Sequence, residues 1–432
     1  MQPLALIWGE SLVGSGHARI QSELSRALEK QGWEVCLITS SREKTQGFDF
    51  GRAQIFWQPP LHLSHPAADP YKMSNLMTPN GVSLLEDLDY QHQRQVFLMD
   101  LFDRLQPRAV ITEMWPFARA NFDFELIPLA EKIIRQQSQA CSLFSIARDI
   151  MYPPSQSCPD STQARQDRHE IAGKYFRDGH ILVRGDENLI PLDQSVGFLA
   201  EEIRSRVAYV GYFAQAGGGL SQRDSDRSGD VLVTSGGGVT AESLEMFEAC
   251  IRIKPCSHLA HKIWRLLIPK SCPIEARERL EQLAATSSNL IIEENRPDFN
   301  ELLRTAALII CHGGNTVIEA LAYQVPALVV PREYAKNNRE QQIRANALAN
   351  QGHLVTMNVA ELWDSEVFAS LIHQACQFSR RESVIRLDGA EVAARQITDH
   401  TLRHAPINRA RSEYLDECEL RLLAEVALLQ PG

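Results

Sequence analysis

Residues 307–332 constrain the fold of this chain more than any other segment. They read ALIICHGGNTVIEALAYQVPALVVPR. The first five are too few and too apolar for anything but an inner strand, and Gly313 and Gly314 let the backbone turn close to a ligand. A helical stretch and a second apolar strand at 326–331 follow. This order of strand, glycine turn, helix and strand is typical of a parallel α/β sheet with a ligand at the turn.

The start of the helix after this turn has the chemistry of a diphosphate site. Asn315 can cap the helix, whose first amides have no partner within it and lie at the positive end of its dipole. Glu319, one turn further on, could accept hydrogen bonds from two neighbouring ribose hydroxyls. The segment therefore predicts a nucleotide diphosphate site, and the alternative is an ordinary strand-to-helix turn with a solvated Glu319.

A polar loop that opens into a helix follows the second strand. It reads NNREQQIRANALANQGHLV, residues 337–355, with Gln341 and Gln342 at the start of the helix. A side-chain amide both donates and accepts hydrogen bonds, which suits a sugar hydroxyl better than a carboxylate or a cation does.

The order HGG, glutamate, proline, QQ and NA resembles the donor half of the MurG-type glycosyltransferases, family 28. The resemblance implies that the turn glycines hold the diphosphate, the helix carboxylate holds ribose and the glutamine pair holds the sugar. An acidic residue often precedes that pair by a wider margin in the family, whereas Glu340 directly adjoins it here. The division of roles among these three residues stays open. The predicted donor residues of this block are His312, Gly313, Gly314, Asn315, Glu319, Glu340, Gln341 and Gln342.

The opening of the chain repeats the pattern, with the apolar strand LALIW at 4–8, a glycine loop and an amphipathic helix. A dinucleotide fingerprint would need a third glycine at position 19, where Arg19 stands. We therefore expect no dinucleotide cofactor, and no other cofactor is predicted.

His17, in the same loop, is the leading catalytic candidate. At a helix N-terminus the dipole favours a neutral imidazole, which can take a proton from a hydroxyl or from water. The alternative is a histidine that only caps the helix. The GSGH core resembles the first loop of MurG-like transferases and of PseG-type hydrolases, although Arg19 comes one position earlier than the hydrolase pattern requires. Gly14, Gly16 and Arg19 are placed on the acceptor side.

A third glycine loop, TSGGGVT, begins at Thr234 between a strand and a helix. In MurG-like enzymes the corresponding loop faces the donor phosphates, so the resemblance implies that Ser235, Gly236 and Gly237 clasp the leaving diphosphate without a metal. A flexible linker end is the alternative. An aspartate pair, DSD at 224–226, falls within the presumed linker, and no metal site is predicted.

The segment TEMWPFAR, residues 112–119, follows another predicted strand. It resembles the TExFPFGR stretch of a bacterial family of predicted glycosyltransferases. Glu113 and Arg119 come at the carboxyl end of the strand, where open α/β sheets bind ligands, and Glu113 is the alternative base. Trp115 and Phe117 could stack on a sugar or a lipid, or belong to the core.

Arg148 and Asp149 occupy a similar strand-end position, either as ligand contacts or as a structural ion pair. Arg148 is predicted to lie on the acceptor side.

Composition narrows the class of protein. A chain of 432 residues favours two domains, and a formal net charge of −10 argues against nucleic acid as a partner. No apolar run reaches the roughly 18 residues of a spanning helix, although a local patch could contact a membrane surface. Nine cysteines without a CxxC pair indicate reduced thiols, so we expect a cytoplasmic protein.

The alternation of strands and helices predicts two doubly wound parallel sheets that face each other across a cleft, the GT-B arrangement of the family that the chain resembles. The predicted organisation is an N-terminal acceptor domain (1–213), a linker (214–230), a nucleotide-sugar donor domain (231–387) and a helical segment that crosses back (388–432). The strands are expected at 4–8, 35–39, 109–112, 142–146, 181–183 and 208–212, then at 231–235, 264–269, 289–294, 307–311 and 326–331.

These expectations converge on an enzyme: an inverting, metal-independent glycosyltransferase that moves a hexose-type sugar from a nucleotide diphosphate, UDP first, to an unidentified acceptor. A PseG-like nucleotide-sugar hydrolase and a non-catalytic nucleotide-sugar-binding protein are the alternatives.

Overall fold

The computed structural model describes residues 2–12, 16–65, 68–135, 141–151, 162–197, 199–214, 229–296, 298–332, 339–377 and 385–402. The predicted linker falls largely outside the described residues, and so do Gly14, the DSD pair and the chain beyond residue 402. The exact domain boundaries therefore remain predictions.

The first half of the chain forms a seven-stranded parallel sheet and a short antiparallel pair. The pair is β4 (His62–Leu63) and β5 (Leu76–Met77). The sheet comprises β1 (Leu4–Trp8), β2 (Glu34–Thr39), β3 (Gln54–Trp57), β6 (Ala109–Glu113), β7 (Ser142–Arg148), β8 (Ile181–Arg184) and β9 (Val207–Tyr209), in the spatial order β3-β2-β1-β6-β7-β8-β9.

Seven helices accompany these strands. They are α1 (Gly16–Lys30), α2 (Arg42–Thr45), α3 (Leu88–Leu105), α4 (Asp123–Arg135), α5 (Thr162–Tyr175), α6 (Asp193–Val196) and α7 (Glu201–Arg204). Every residue of β1 and β6 is buried, as expected for strands that are covered by helices on both faces.

The second half forms a six-stranded parallel sheet in the order β12-β11-β10-β13-β14-β15. Its strands are β10 (Val231–Thr234), β11 (Trp264–Ile268), β12 (Leu290–Glu294), β13 (Leu308–Cys311), β14 (Ala327–Val329) and β15 (Val355–Thr356). Its helices are α8 (Ala241–Ile253), α9 (Ile274–Ala284), α10 (Phe299–Thr305), α11 (Asn315–Ala322), α12 (Glu340–Asn350) and α13 (Ser365–Gln377).

The last described helix, α14 (Gly389–Leu402), packs on the first half of the chain. Its buried Ala393, Ala394 and Ile397 share a core cluster with α1, and the indole nitrogen of Trp33 donates to Thr398 Oγ1 at 2.8 Å. The crossing-back helix and the two doubly wound parallel sheets are thus confirmed.

The strand predictions differ from the structure at two points. The strand expected at 208–212 ends at Tyr209, because Gly211 has a positive φ of 93° and the Tyr212 amide bonds to the Arg386 carbonyl. Strand β3 is missing from the prediction, since QIFW lies in a segment rich in turn residues and joins the sheet only at its edge.

Candidate active site

The strand order places a ligand crevice in each sheet. The chain leaves β1 in opposite directions to β2 and to β6, and it leaves β10 in the same way to β11 and to β13. Open α/β sheets bind ligands beyond the carboxyl ends of the strands at such a reversal. His17 and Glu113 lie at this point of the first sheet, and the loops after β10 and β13 lie at this point of the second.

The two crevices face each other. Arg19 of α1 forms an ion pair with Glu319 of α11, and Arg148 Nη1 lies 3.5 Å from Glu340 Oε2. A Cβ atom placed on Gly16 would lie 3.6 Å from the side-chain nitrogen of Asn315. The glycine loop of the first sheet therefore meets the start of α11 directly.

His17 and Glu113 form a buried pair at the bottom of this cleft. The His17 Nδ1 and Glu113 Oε1 atoms are 2.5 Å apart, and the two residues are 7% and 3% exposed. They are 96 positions apart in the chain and meet because β1 and β6 are neighbours in the sheet. Both catalytic candidates thus belong to one unit.

The electrostatics assign the protonation states of the pair. Burial lowers the pKa of His17 to about 4, and Arg148 and Arg119 lower it further against the opposing effect of Glu113. Burial would raise the pKa of Glu113, but His17, Arg119 and Arg148 bring it down to about 2. At neutral pH the Nδ1–H of a neutral His17 donates to an ionised Glu113, and Nε2 carries the lone pair.

Two guanidinium groups face that lone pair. Arg119 Nη2 and Arg148 Nη2 each lie 3.2 Å from His17 Nε2. Arg119 also donates to the Glu10 carbonyl at 2.6 Å, which fixes its position. The acceptor-side candidates Arg119 and Arg148 therefore lie beside the basic nitrogen.

The HGG turn packs tightly against α12. A Cβ atom on Gly313 would lie 2.7 Å from the Gln341 carbonyl oxygen, so only glycine fits there. Gly314 has open space where its Cβ would stand and precedes α11, whose first amides face the cleft. Glu319 is buried, 4% exposed, and Arg19 occupies it in this structure.

His312 serves as an anchor between elements. Its Nδ1 donates to the Val330 carbonyl at 2.6 Å, and its Nε2 lies 3.2 Å from Ser243 Oγ. Burial first, and then the charge of Arg332, lower the pKa of His312 to about 3, which keeps the ring neutral. His312 thus ties the turn to β14 and α8 rather than presenting a free nitrogen to the cleft.

The loop after β10 is held from the second sheet by Arg332, which the sequence analysis missed. Its guanidinium donates to the Ser235 carbonyl and, at 2.8 Å, to the Gly238 carbonyl. Asn295 Nδ2 donates to the Gly236 carbonyl at 2.9 Å. Because the carbonyls of the loop are engaged in this way, the run SGGG from Ser235 is an ordered part of the cleft.

The three polar residues at the start of α12 have different partners. Gln341 Oε1 accepts from the Arg332 amide at 3.1 Å, and Gln342 Oε1 accepts from Arg339 Nε at 3.0 Å. Glu340 accepts from Arg344 Nη2 at 2.9 Å. The side-chain NH2 group of each glutamine is left for a ligand among the contacts that the described residues make.

Two expectations about the first sheet need correction. Trp115 is fully buried against Phe176 and donates to Asp123 Oδ1 at 2.8 Å, so it lies in the core and offers no face to a ligand. Phe117 is equally buried. Arg148 and Asp149 do not pair with each other: Asp149 binds Arg344, and Arg148 approaches Glu340.

Arg344 is a second residue that the sequence analysis missed. Its position one helical turn after Glu340 was the available signal.

Comparisons with known proteins agree with this geometry. Residues 271–379 match the sequence profile of the Glycosyltransferase family 28 C-terminal domain. No curated protein sequence matches the chain. Among the described residues, no helix combines the length and apolarity needed to span a membrane.

Several solved structures share the whole fold. MurG of Acinetobacter baumannii has a TM-score of 0.56 at 13% identity, over 92% of this chain and 100% of that one. The calicheamicin glycosyltransferase has a TM-score of 0.54 at 15% identity, over 99% and 100%. A putative UDP-N-acetylglucosamine 2-epimerase from Listeria monocytogenes has a TM-score of 0.56 at 13% identity, over 94% and 98%. The GT-B fold and the resemblance to family 28 are confirmed.

Proposed function

We propose that this chain, which carries the C-terminal domain of glycosyltransferase family 28 on a GT-B fold, transfers a sugar from a nucleotide diphosphate to an acceptor hydroxyl. The His17–Glu113 pair carries the proposal, since it lies across the cleft from the HGG turn. A buried neutral imidazole that is oriented by a carboxylate is suited to remove a proton.

The proposed reaction uses the lone pair on His17 Nε2. The acceptor hydroxyl gives its proton to Nε2 while its oxygen forms a bond to the anomeric carbon. The bond from that carbon to the diphosphate oxygen breaks, and its electron pair leaves with the nucleotide. Glu113 stabilises the imidazolium that forms, because its carboxylate lies 2.5 Å from Nδ1.

The donor is assigned to the second sheet. The amides at the start of α11 and those of the loop after β10 would neutralise the charge that grows on the leaving diphosphate. Glu319 would take the ribose hydroxyls, and Gln341 with Gln342 would take the sugar. UDP as the nucleotide, a hexose-type sugar, inversion and independence of metal remain parts of this proposal.

Transfer and hydrolysis differ only in whether an acceptor or a water molecule reaches His17. The fold does not separate them, since a structure titled as an epimerase shares it as well as structures titled as glycosyltransferases do.

The first experiment is mass-spectrometric detection of nucleotide release from UDP-, GDP- and TDP-sugars, without an acceptor and then with cell-extract fractions. Tight binding of one donor, with release only when a fraction is added, would support transfer. Sustained release without an acceptor would instead identify a hydrolase.

His17→Ala should abolish the release that a fraction stimulates, whereas the exposed His373→Ala on α13 serves as the matched control. Donor binding without turnover under any condition would contradict the enzyme assignment.

A further inference from the structure

Three arginines converge at the carboxyl ends of neighbouring strands in the first sheet. Arg119 follows β6, Arg148 ends β7 and Arg184 ends β8. Arg119 and Arg184 are 2% and 8% exposed, and the side chain of Arg148 is 18% exposed. Removing three guanidinium groups from water is costly unless carboxylates or a ligand compensate for it.

The carboxylates of the described residues compensate only in part. Glu113 is already bonded to His17, and Asp149 is bonded to Arg344. Arg148 has Glu340 at 3.5 Å, beyond ordinary hydrogen-bond length. Burial, followed by the charge of Arg148, lowers the pKa of Arg184 to about 10. Positive charge therefore exceeds negative charge around His17.

Hydrogen-bonding capacity is also unused at this place. The buried Nε atoms of Arg119 and Arg148 have no hydrogen-bond partner among the described residues. Both arginines instead direct an Nη2 group at the single lone pair of His17 Nε2. One neutral acceptor atom shared by two cations is a weak substitute for an anion.

We propose that the acceptor carries an oxyanion, a phosphate or a carboxylate, next to its reacting hydroxyl, and that Arg119 and Arg148 bind this group. The inference rests on the proposed function and names the acceptor class of the same site. Arg184 adds its charge to the pocket behind them.

This binding would switch His17 on. An oxyanion offers the two arginines stronger, charge-assisted hydrogen bonds than the imidazole does, so their Nη2 groups leave Nε2. The lone pair is then free for the acceptor hydroxyl. Since Arg148 and Arg119 both lower the pKa of His17, an anion that neutralises them also makes the imidazole a stronger base.

Tyr71 supplies the entrance of the pocket. Its ring lies 5.6 Å from the guanidinium carbon of Arg119 and is 42% exposed. Asn121 Nδ2 donates to the Pro70 carbonyl at 3.1 Å, which holds this part of the loop over the arginines. The segment in which we expected acceptor recognition thus reaches the catalytic pair.

The test uses the full chain, saturated with UDP so that the donor site is filled, and inorganic phosphate or acetate as the probe. NMR of labelled histidines follows the His17 imidazole, whose resonance is assigned from its loss in His17→Gln. We expect a saturable shift of this resonance. Arg148→Gln should weaken the anion affinity about 10- to 100-fold, as expected for hydrogen bonds to a charged group.

Two variants make the test specific. Arg148→Lys keeps the charge and should retain part of the affinity, whereas the exposed Arg135→Gln on α4 should change nothing. A response to phosphate alone would assign a phosphoryl group to the acceptor, and a response to acetate would assign a carboxylate.

Absence of a saturable shift with either anion, or equal affinity in Arg148→Gln, would overturn the inference. Failure of UDP to bind, measured separately by calorimetry, would instead count against the proposed function, while the response of His17 to the anions still decides this inference.

Discussion

Asp149 and Arg344 lie in different halves of the chain and are joined by two hydrogen bonds. Arg344 Nε donates to Asp149 Oδ2 at 2.8 Å and Nη2 donates to Oδ1 at 2.6 Å. Burial would raise the pKa of Asp149, but Arg344 lowers it, so the carboxylate stays ionised. Arg344 Nη1 also donates to the Gly313 carbonyl at 3.1 Å. This pair links the acceptor half to the diphosphate turn.

Arg344→Met should destabilise the protein strongly. The change leaves the buried carboxylate of Asp149 with the Tyr212 hydroxyl as its remaining printed side-chain partner from another residue, at 3.0 Å. Loss of one member of a buried pair costs about 3–5 kcal/mol. Urea unfolding should show it, while Arg135→Met, which removes an exposed pair with Glu131, should cost less than about 1 kcal/mol. Equal unfolding midpoints for the two variants would contradict the role of the pair.

Glu113→Gln should lower turnover about 10²- to 10⁴-fold with little change in donor affinity. The amide cannot stabilise the imidazolium, and its NH2 group can select the wrong tautomer of His17. Donor affinity by calorimetry and turnover by nucleotide release check the two halves of this statement. The exposed Glu281→Gln on α9 is the matched control.

The pH dependence of the rate should reflect the depressed pKa of His17. The base acts only when neutral, so kcat/KM should rise with pH through about 4, the value that burial and the arginines impose, and stay level above it. An acidic limb near the ordinary histidine value of about 6.5 would show that His17 is not buried in the free enzyme or is not the base. Glu113→Gln should move the limb further down, because the carboxylate raises the pKa of His17.

Glu319 and Arg19 should have opposite effects on UDP affinity. Glu319→Ala removes the carboxylate assigned to ribose, so affinity should fall about 10-fold or more, as expected for hydrogen bonds to a charged group. Arg19→Ala removes the ion pair that occupies Glu319, so affinity should rise. Calorimetric titration with UDP measures both, and unchanged affinity in Glu319→Ala would exclude the ribose role.

The two glycines of the HGG turn should respond differently to alanine. In Gly313→Ala the new Cβ atom would meet the Gln341 carbonyl at 2.7 Å, so we expect a loss of about 1–3 kcal/mol in stability. Gly314→Ala meets no protein atom within 4 Å and should fold normally. If the diphosphate lies over this turn, Gly314→Ala should still bind UDP more weakly. Thermal melts combined with UDP titrations separate the two effects.

Much of the fold is readable from local composition. Buried parallel strands appear as continuous apolar runs, so LALIW at 4–8 and LIIC at 308–311 are evident without a structure. The glycine loops after such strands, and the helix starts behind them, mark His17 and Gly313 for the same local reason. Strand β3 escapes this reasoning because it is short and only partly buried at the sheet edge.

The partners of these residues follow from strand order and from the way the halves face each other. Glu113 meets His17 across 96 positions and Asp149 meets Arg344 across 195, and neither spacing has a local period. Trp115 could equally have faced a ligand or the core until its packing against Phe176 was known. A periodic pattern reports which face of an element is buried, whereas long-range ion pairs and the burial of a strand-end loop depend on contacts that form only when the whole chain has folded.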